Sequence, residues 1–323
     1  MEGVATREAF GIALCKLGKE NQNIVVLDAD VSKSSRTLYF AEAFPDRFFN
    51  MGIAEQNMMG VAAGMATLGL VPFATTFAVF ASKRACDQIS ISIAYPRLNV
   101  KVVGTYAGVT VGYDGATHQA IEDLAIMRAM PNMTVLVPAD AIATERVVRA
   151  AAEYLGPVYI RLGRAPVPTV YEHDLILEIG KGIVLEQGDD LTIIATGLMV
   201  AQALKARDLL MIQSISARVM DIHTLKPLDR ELIIQAAKET GAIVTAEEHS
   251  IIGGLGSAVT ELLGEEWPIP IVRVGIRDCF GESGNPDELL VHFGLTSEDI
   301  VRAATSVVNK KKYPFGKHAW NEF

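Results

Sequence analysis

The chain has 323 residues, 50% hydrophobic and 21% charged, with a formal net charge of -9. That balance excludes a disordered or low-complexity protein, and the length amounts to about two domains. An acidic chain whose densest basic run is Lys310-Lys311-Lys312 is unsuited to a phosphate backbone, so no nucleic acid is expected and the run reads as a solvated helix end.

In chain order, short β-rich apolar runs alternate with longer helical segments, the mark of α/β units on largely parallel sheets. The pattern predicts a helix from Arg7, a strand at Ile24–Asp28, a helix beginning near Glu55 and a strand at Val71–Thr75. A helix around Ala81–Ala94, a strand at Val100–Thr105, a helix from His118 to Met130 and a strand at Thr134–Val137 come next. A helix from Ala141 and a strand at Val158–Arg161 close this half. Between Leu162 and Gly188 the periodicity lapses around Pro166 and Pro168, as in a linker. The second series predicts strands at Leu191–Ala195, Ala217–Asp221, Ala242–Ala246 and Ile269–Val274. Its helices fall at Val200–Met211, Arg230–Thr240, Gly254–Leu263 and after Thr296. The expected fold class is therefore α/β: two doubly wound αβα domains, 1–164 and 189–323, joined by a linker at 165–188.

From Gln56 to Ser82 there is no charge, a length that would suit a membrane span. Gly60, Gly64, Gly69 and Pro72 interrupt it, so it reads as a buried, close-packed helix running into a buried strand and covered by another subunit; no membrane contact is expected. Cys15, Cys86 and Cys279 are odd in number and outside any CxxC, which points to reduced thiols and a cytoplasmic location. The Met-Glu-Gly-Val opening has no secretory-signal pattern.

The sequence holds no GxxxxGK[ST], HExxH or GxSxG motif. Gly253-Gly254-Leu255-Gly256 opens a helix and could cradle an anion, but close packing of helix on sheet is the plainer reading. His173, His223, His249, His292 and His318 have no metal-ligand spacing and read as structural or surface residues. What stands out is Met51-Gly52-Ile53-Ala54-Glu55-Gln56-Asn57, a carboxylate at a strand-to-helix junction heading the uncharged stretch. By itself Glu55 would read as a helix-start glutamate facing the dipole. Its company changes that reading: Ala74-Thr75-Thr76-Phe77-Ala78-Val79-Phe80, then Gly112-Tyr113-Asp114-Gly115-Ala116-Thr117-His118-Gln119, then Val137-Pro138-Ala139-Asp140.

Together these motifs resemble the thiamine-diphosphate enzymes of the transketolase family, specifically their pyrimidine-binding domain followed by the small C-terminal domain. Asp221-Ile222-His223-Thr224-Leu225-Lys226-Pro227-Leu228-Asp229 and Glu247-Glu248-His249 extend the resemblance over essentially the whole chain. The family's Gly-Asp-Gly with a distant Asn, which holds magnesium, is missing; Gly188-Asp189 is followed by Asp190, and no further domain is expected before Arg7. The resemblance thus implies one subunit of a split transketolase. An N-terminal partner subunit would supply diphosphate and Mg2+ binding, this chain would ligate no metal itself, and it would self-associate within an α2β2 assembly. The implied reaction moves a two-carbon ketol unit between sugar phosphates on thiamine diphosphate.

Residue by residue, the resemblance makes Glu55 the partner of N1′ of the aminopyrimidine, in a nearly uncharged pocket, with Phe77 and Phe80 packed on that ring. Lys83 stands where a third aromatic is usual. His118 and Asp114 match positions near the reacting carbonyl and substrate hydroxyls, and Asp30 one near the cofactor and the subunit contact. Arg7, Ser34 and Arg164 match a sugar-phosphate site whose fourth member, usually a histidine, is here Tyr106. A 2-oxoacid dehydrogenase β subunit, a deoxyxylulose-phosphate synthase fragment and a non-catalytic subunit that keeps the fold are the alternatives.

Overall fold

The computed structural model describes residues 3–312; His318 lies outside them. A two-residue strand β1 (Val4–Ala5) leads into the helix Thr6–Glu20, and β2 (Ile24–Asp28) follows. All five residues of β2 are buried, as expected where β-branched side chains are covered on both faces of a parallel sheet. Parallel neighbours are β3 (Phe48–Asn50) on one side and β4 (Val71–Phe77) on the other. The sheet continues through β5 (Lys101–Thr105), with β6 (Thr134–Leu136) reached across β7 (Val158–Arg161). Next, β8 (Pro166–Val167) turns back to pair antiparallel with β1, which sets the start of the first helix beside the segment after β7.

A second sheet is built from β9 (Ile183–Glu186), β10 (Leu191–Ala195) and β11 (Ala217–Asp221). The following strand, β12 (Thr224–Lys226), crosses to the first sheet and pairs antiparallel with β6. β13 (Ile243–Ser250) and β14 (Ile271–Ile276) complete the second sheet in the order β14-β13-β10-β11-β9, parallel except at β9. The first sheet has the order β12-β6-β7-β5-β4-β2-β3, so a strand from the C-terminal half locks the two halves together. Among the described residues no helix is long and apolar enough to cross a membrane.

Most predicted elements fall where the pattern puts them, and four points differ. β8 and β9 lie inside the stretch whose lapsed periodicity reads as a linker; every residue of β9 is half-buried, so no alternation marks it. The periodicity places a helix from His118, but the helix starts at Asp123. Gly112 and Gly115 take positive φ there, and Gln119 spends its side chain on the carbonyls of Val109, Gly112 and Glu282, leaving 115–122 as loop. The helix Glu55–Thr67 buries Met58, Met59, Ala62 and Ala63 but leaves Gln56, Asn57, Gly60, Gly64 and Thr67 exposed, so within the chain it is half covered, not fully. The lysine run is also not wholly solvated, because Lys311 Nζ donates to Asp190 O and Thr240 O.

The glycine-rich turn before the helix Leu255–Glu266 has its anion already. Glu247 accepts from the N–H groups of Leu255 and Gly256 at 2.7 and 2.8 Å, and a Cβ on Gly254 would lie 2.0 Å from that carboxylate. The plainer packing reading of that turn holds.

Candidate functional site

The candidate residues collect where chain leaves the carboxyl ends of the parallel strands of the first sheet, the edge at which open α/β sheets bind ligands. Asp30 and Ser34 follow β2, Glu55 follows β3, Phe77 ends β4 and Phe80 follows it. Tyr106, Asp114 and His118 lie beyond β5, and Arg164 lies beyond β7. Arg7 enters from the first turn of the first helix, brought alongside by the β1–β8 pair.

Glu55 is the first residue of its helix, where free N–H groups and the dipole favour a carboxylate. It is 2% exposed. One oxygen, Oε1, accepts from Arg84 Nη1 at 2.8 Å, while Oε2 is buried with no partner. The pocket is thus not the uncharged one that the sequence suggests. Arg84 lies two residues beyond the uncharged stretch, and the π-helical turn Phe80–Arg84 folds it back so that its guanidinium sits 4.3 Å from the Phe80 ring centre.

An aromatic wall adjoins this carboxylate. β4 pairs with β5 in a register that sets Phe77 opposite Thr105, next to Tyr106, and the Phe77 and Tyr106 rings stack at 4.2 Å with 17° between planes. Phe80 stacks on Phe77 at 5.8 Å, and His118 meets Phe77 and Phe80 edge-on at 6.2 and 5.4 Å. His118 Nδ1 is 2.9 Å from Thr117 Oγ1. An open cleft of about 600 Å3 runs past Phe80, Lys83, Arg84 and Thr117 to Phe280 of the C-terminal half. Lys83, in the place of a third aromatic, pairs with Glu122 at 2.5 Å.

Beyond Tyr106 lies a cationic end. Arg7 and Arg164 place their guanidinium carbons 5.0 and 5.2 Å from the Tyr106 ring centre. Arg7 Nη1 donates to Ser34 O at 2.5 Å and to the Tyr106 hydroxyl at 3.2 Å, so the phenol is already used as an acceptor. Burial, with Arg36 and Arg164 nearby, lowers the Arg7 pKa. Arg164 Nη1 donates to Val111 O and to Asp114 Oδ1, the latter at 3.3 Å. Tyr106 holds this place at φ 56, a left-handed conformation that costs a non-glycine residue about 1 kcal/mol or more.

The structure therefore brings Glu55, Phe77, Phe80 and His118 into one group and Arg7, Ser34, Asp114 and Arg164 into another, with the Phe77–Tyr106 stack between them. Asp30 stands apart: it is exposed, at φ 62, and accepts from Asn50 Nδ2 at 3.0 Å on the segment that leads to Glu55. Two residues escaped the sequence reading. Arg84 falls four residues after Phe80, a spacing that places side chains on one face of a helical turn and could have flagged it. Asp28 is buried at the end of β2 and accepts from Val31 N, Ser35 Oγ and Thr37 Oγ1; it shapes the loop bearing Asp30 and Ser34, and burial raises its pKa. Among the described residues no group of three His, Cys, Asp or Glu side chains is placed to hold a metal ion.

This parallel sheet, with a buried helix-start carboxylate beside stacked aromatics at its carboxyl edge, is of the pyrimidine-binding kind. The family model described as transketolase, pyrimidine binding domain, matches residues 2–169, and the one described as transketolase, C-terminal domain, matches 180–300. The chain belongs to the transketolase family, as a split-transketolase C-terminal subunit. It is 50% identical over 308 residues to a protein of Methanocaldococcus jannaschii named as a transketolase C-terminal section, covering 94% of this chain and 96% of that one. The 6-deoxy-6-sulfo-D-fructose transketolase subunit of a Clostridium species is 46% identical over 307 residues, 95% of each chain. Among solved structures, one described as a split gene transketolase, inactive beta4 tetramer, superposes with a TM-score of 0.90 at 59% identity, covering 96% of this chain and 100% of that one.

Proposed function

We propose that this chain is the catalytic C-terminal subunit of a thiamine-diphosphate-dependent transketolase. It moves a two-carbon ketol unit from a ketose phosphate to an aldose phosphate, and turns over only with a separate N-terminal subunit that holds the diphosphate and Mg2+. The family generally uses thiamine diphosphate. Glu55 carries the reading, as a buried carboxylate with one oxygen on Arg84 and the other without a partner. An unpaired buried acceptor costs about 1–3 kcal/mol, so Oε2 calls for a donor from outside the chain. A protonated pyrimidine N1′ is such a donor, and Phe77 and Phe80 offer that ring a flat apolar wall. The residues present therefore fit the pyrimidine half of the cofactor.

When bound, the cofactor supplies the electron sink for breaking and making the carbon–carbon bond. Glu55, fixed through Oε1 by Arg84, holds the proton at N1′ on Oε2. His118, edge-on to the aromatic wall and beside the cleft, moves protons at the substrate hydroxyls, a task suited to imidazole near neutral pH. Asp114 orients the sugar chain, and Asp30 lies toward the cofactor and subunit contact. Arg7 and Arg164 bind the terminal anion beside Ser34, since guanidinium pairs well with phosphate oxygens. The substrate named for the Clostridium relative carries a sulfo group instead, an anion the same pair suits, which makes that terminal group the point to test.

Self-association within an α2β2 assembly falls to the open face of the helix Glu55–Thr67. The free thiols Cys15, Cys86 and Cys279 suit a reducing compartment such as the cytoplasm. The decisive assay compares the purified chain alone with the chain plus a partner bearing Gly-Asp-Gly and a downstream Asn, both with Mg2+ and thiamine diphosphate. Ketol transfer is expected only in the mixture. Full turnover by the single chain would sink the split-enzyme reading.

A further inference from the structure

The C-terminal half contributes none of the candidate residues above, yet it grips the loop that bears two of them. The loop leaves β5 at Tyr106, carries Asp114 and His118, and ends at the helix Asp123–Ala129. Glu248, on β13 of the second sheet and 4% exposed, turns its carboxylate onto this loop, where Oε1 accepts from Thr110 N at 2.7 Å. The sequence makes room for it: Gly108 has φ 81, and a Cβ there would lie 2.1 Å from the Glu248 carboxyl carbon.

The far end of the loop is tied to the same strand. Arg161 Nη2 donates to Ala120 O at 3.1 Å and to Glu248 O at 2.9 Å, and Ser250 N donates to Ile121 O at 2.8 Å. We propose that Glu248 is a positioning residue, a clamp from the C-terminal domain that sets the loop holding Asp114 and His118.

The chemistry of the residue supports the role. Packing alone would be served by an apolar side chain, because an ionised carboxylate buried with one hydrogen bond is costly. Burial pushes Glu248 up to about 7, against the pull of Arg161 and Thr110, so the fold tolerates this acid at a cost. Glu247, one residue earlier, is by contrast fully used in capping the helix Leu255–Glu266. The Thr110 bond lies at the head of the 3-10 turn Val109–Asp114, so what it fixes is the take-off of the segment that ends in Asp114.

The proposal rests on the roles given to Asp114 and His118 only for its catalytic consequence; the clamp is measurable without them. Hydrogen–deuterium exchange of the full chain is compared for wild type, E248A, E248D and E248Q. Loss of one well-made hydrogen bond predicts exchange about 10-fold faster over residues 109–119 in E248A. E248D keeps the carboxyl group but withdraws it by a methylene and should loosen the loop similarly, which serves if E248A does not fold. E248Q keeps an acceptor for Thr110 N and should restore protection, with the helix Leu255–Glu266 unchanged in all three. Wild-type loop protection in E248A and E248D overturns the clamp, as does exchange that rises equally throughout the C-terminal domain. In the complex with its partner, E248A should lower kcat about 10-fold with little change in acceptor KM, and E248Q should recover it. A loosened loop with wild-type kcat would support the clamp and overturn the roles of Asp114 and His118.

Discussion

The sharpest prediction concerns Glu55→Gln, because Arg84 dictates how the new amide must sit. Arg84 Nη1 donates to Oε1 at 2.8 Å, so in the variant the amide oxygen turns to Arg84 and the amide NH2 takes the place of Oε2. On the proposed role of Glu55, the group facing N1′ would change from an acceptor that can share a proton into a donor. A ring nitrogen can still be met by one hydrogen bond, so cofactor affinity in the complex should change only a few-fold, within the net value of one bond. The proton at N1′ is lost, however, and positioned acid–base groups contribute about 10²–10⁴-fold, or about 3–5 kcal/mol of barrier. The assay is deuterium exchange at C2 of the bound cofactor with the partner subunit present, paired with a direct binding titration. We expect exchange at least about 100-fold slower with near-normal binding. Exchange at the wild-type rate would show that the carboxylate with the orphaned oxygen is not the proton holder, and the functional reading would fail with it.

Three further variants test the anionic end, the open helix face and Glu248. Arg164→Ala should lower kcat/KM for a phosphorylated aldose about 10-fold more than for glycolaldehyde, the worth of one charged hydrogen bond. Equal losses on both acceptors would show that Arg164 acts only through Val111 and Asp114, which it also holds. Gly60→Leu should stabilise the free chain, since the site is open and glycine costs a helix about 1 kcal/mol, while shifting the assembly to smaller species in sedimentation; an unchanged assembly would move the self-contact elsewhere. Glu248 binds its proton in the folded chain up to about pH 7 but only to about 4.5 when unfolded, so its contribution to stability is full below pH 4.5 and is lost as pH rises through 7. E248Q, permanently neutral, should therefore exceed wild type in Tm at pH 8 and approach it near pH 5; a gap independent of pH would refute the titration.

How far the sequence could be read depended on whether a residue's partner lay nearby in the chain. Strands such as Ile24–Asp28 and Leu191–Ala195 announce themselves because all five residues of each are apolar, β-branched or end-placed and buried. The Phe77 and Phe80 wall was legible as a motif, and sheet register then made Tyr106 its continuation. β9 was not legible, because a half-buried antiparallel edge strand has neither alternation nor a fully apolar run. The helix expected from His118 failed for a related reason. Apolar spacing there continues, but the Gln119 side chain donates to Glu282 O and the Ile121 carbonyl accepts from Ser250 N, distant partners that local periodicity does not encode.

The same distinction applies to Glu55. Reading along the chain, Glu55 heads an uncharged stretch from Gln56 to Ser82, and solvation alone would govern it. In space the stretch doubles back, and the first pair of charges after it meets the two acids that flank the cleft, Arg84 on Glu55 and Lys83 on Glu122. One cation therefore fixes the carboxylate proposed to face the ring, and its neighbour fixes the base of the loop that carries His118. In the function proposed above, the sugar's anionic end would fall to Arg7 and Arg164, which sit across the Phe77–Tyr106 stack and so would act on a different part of the substrate. That separation gives the variants different readouts: changes at Arg84 or Glu55 should alter proton handling for every acceptor, and changes at Arg7 or Arg164 should alter which acceptor is chosen.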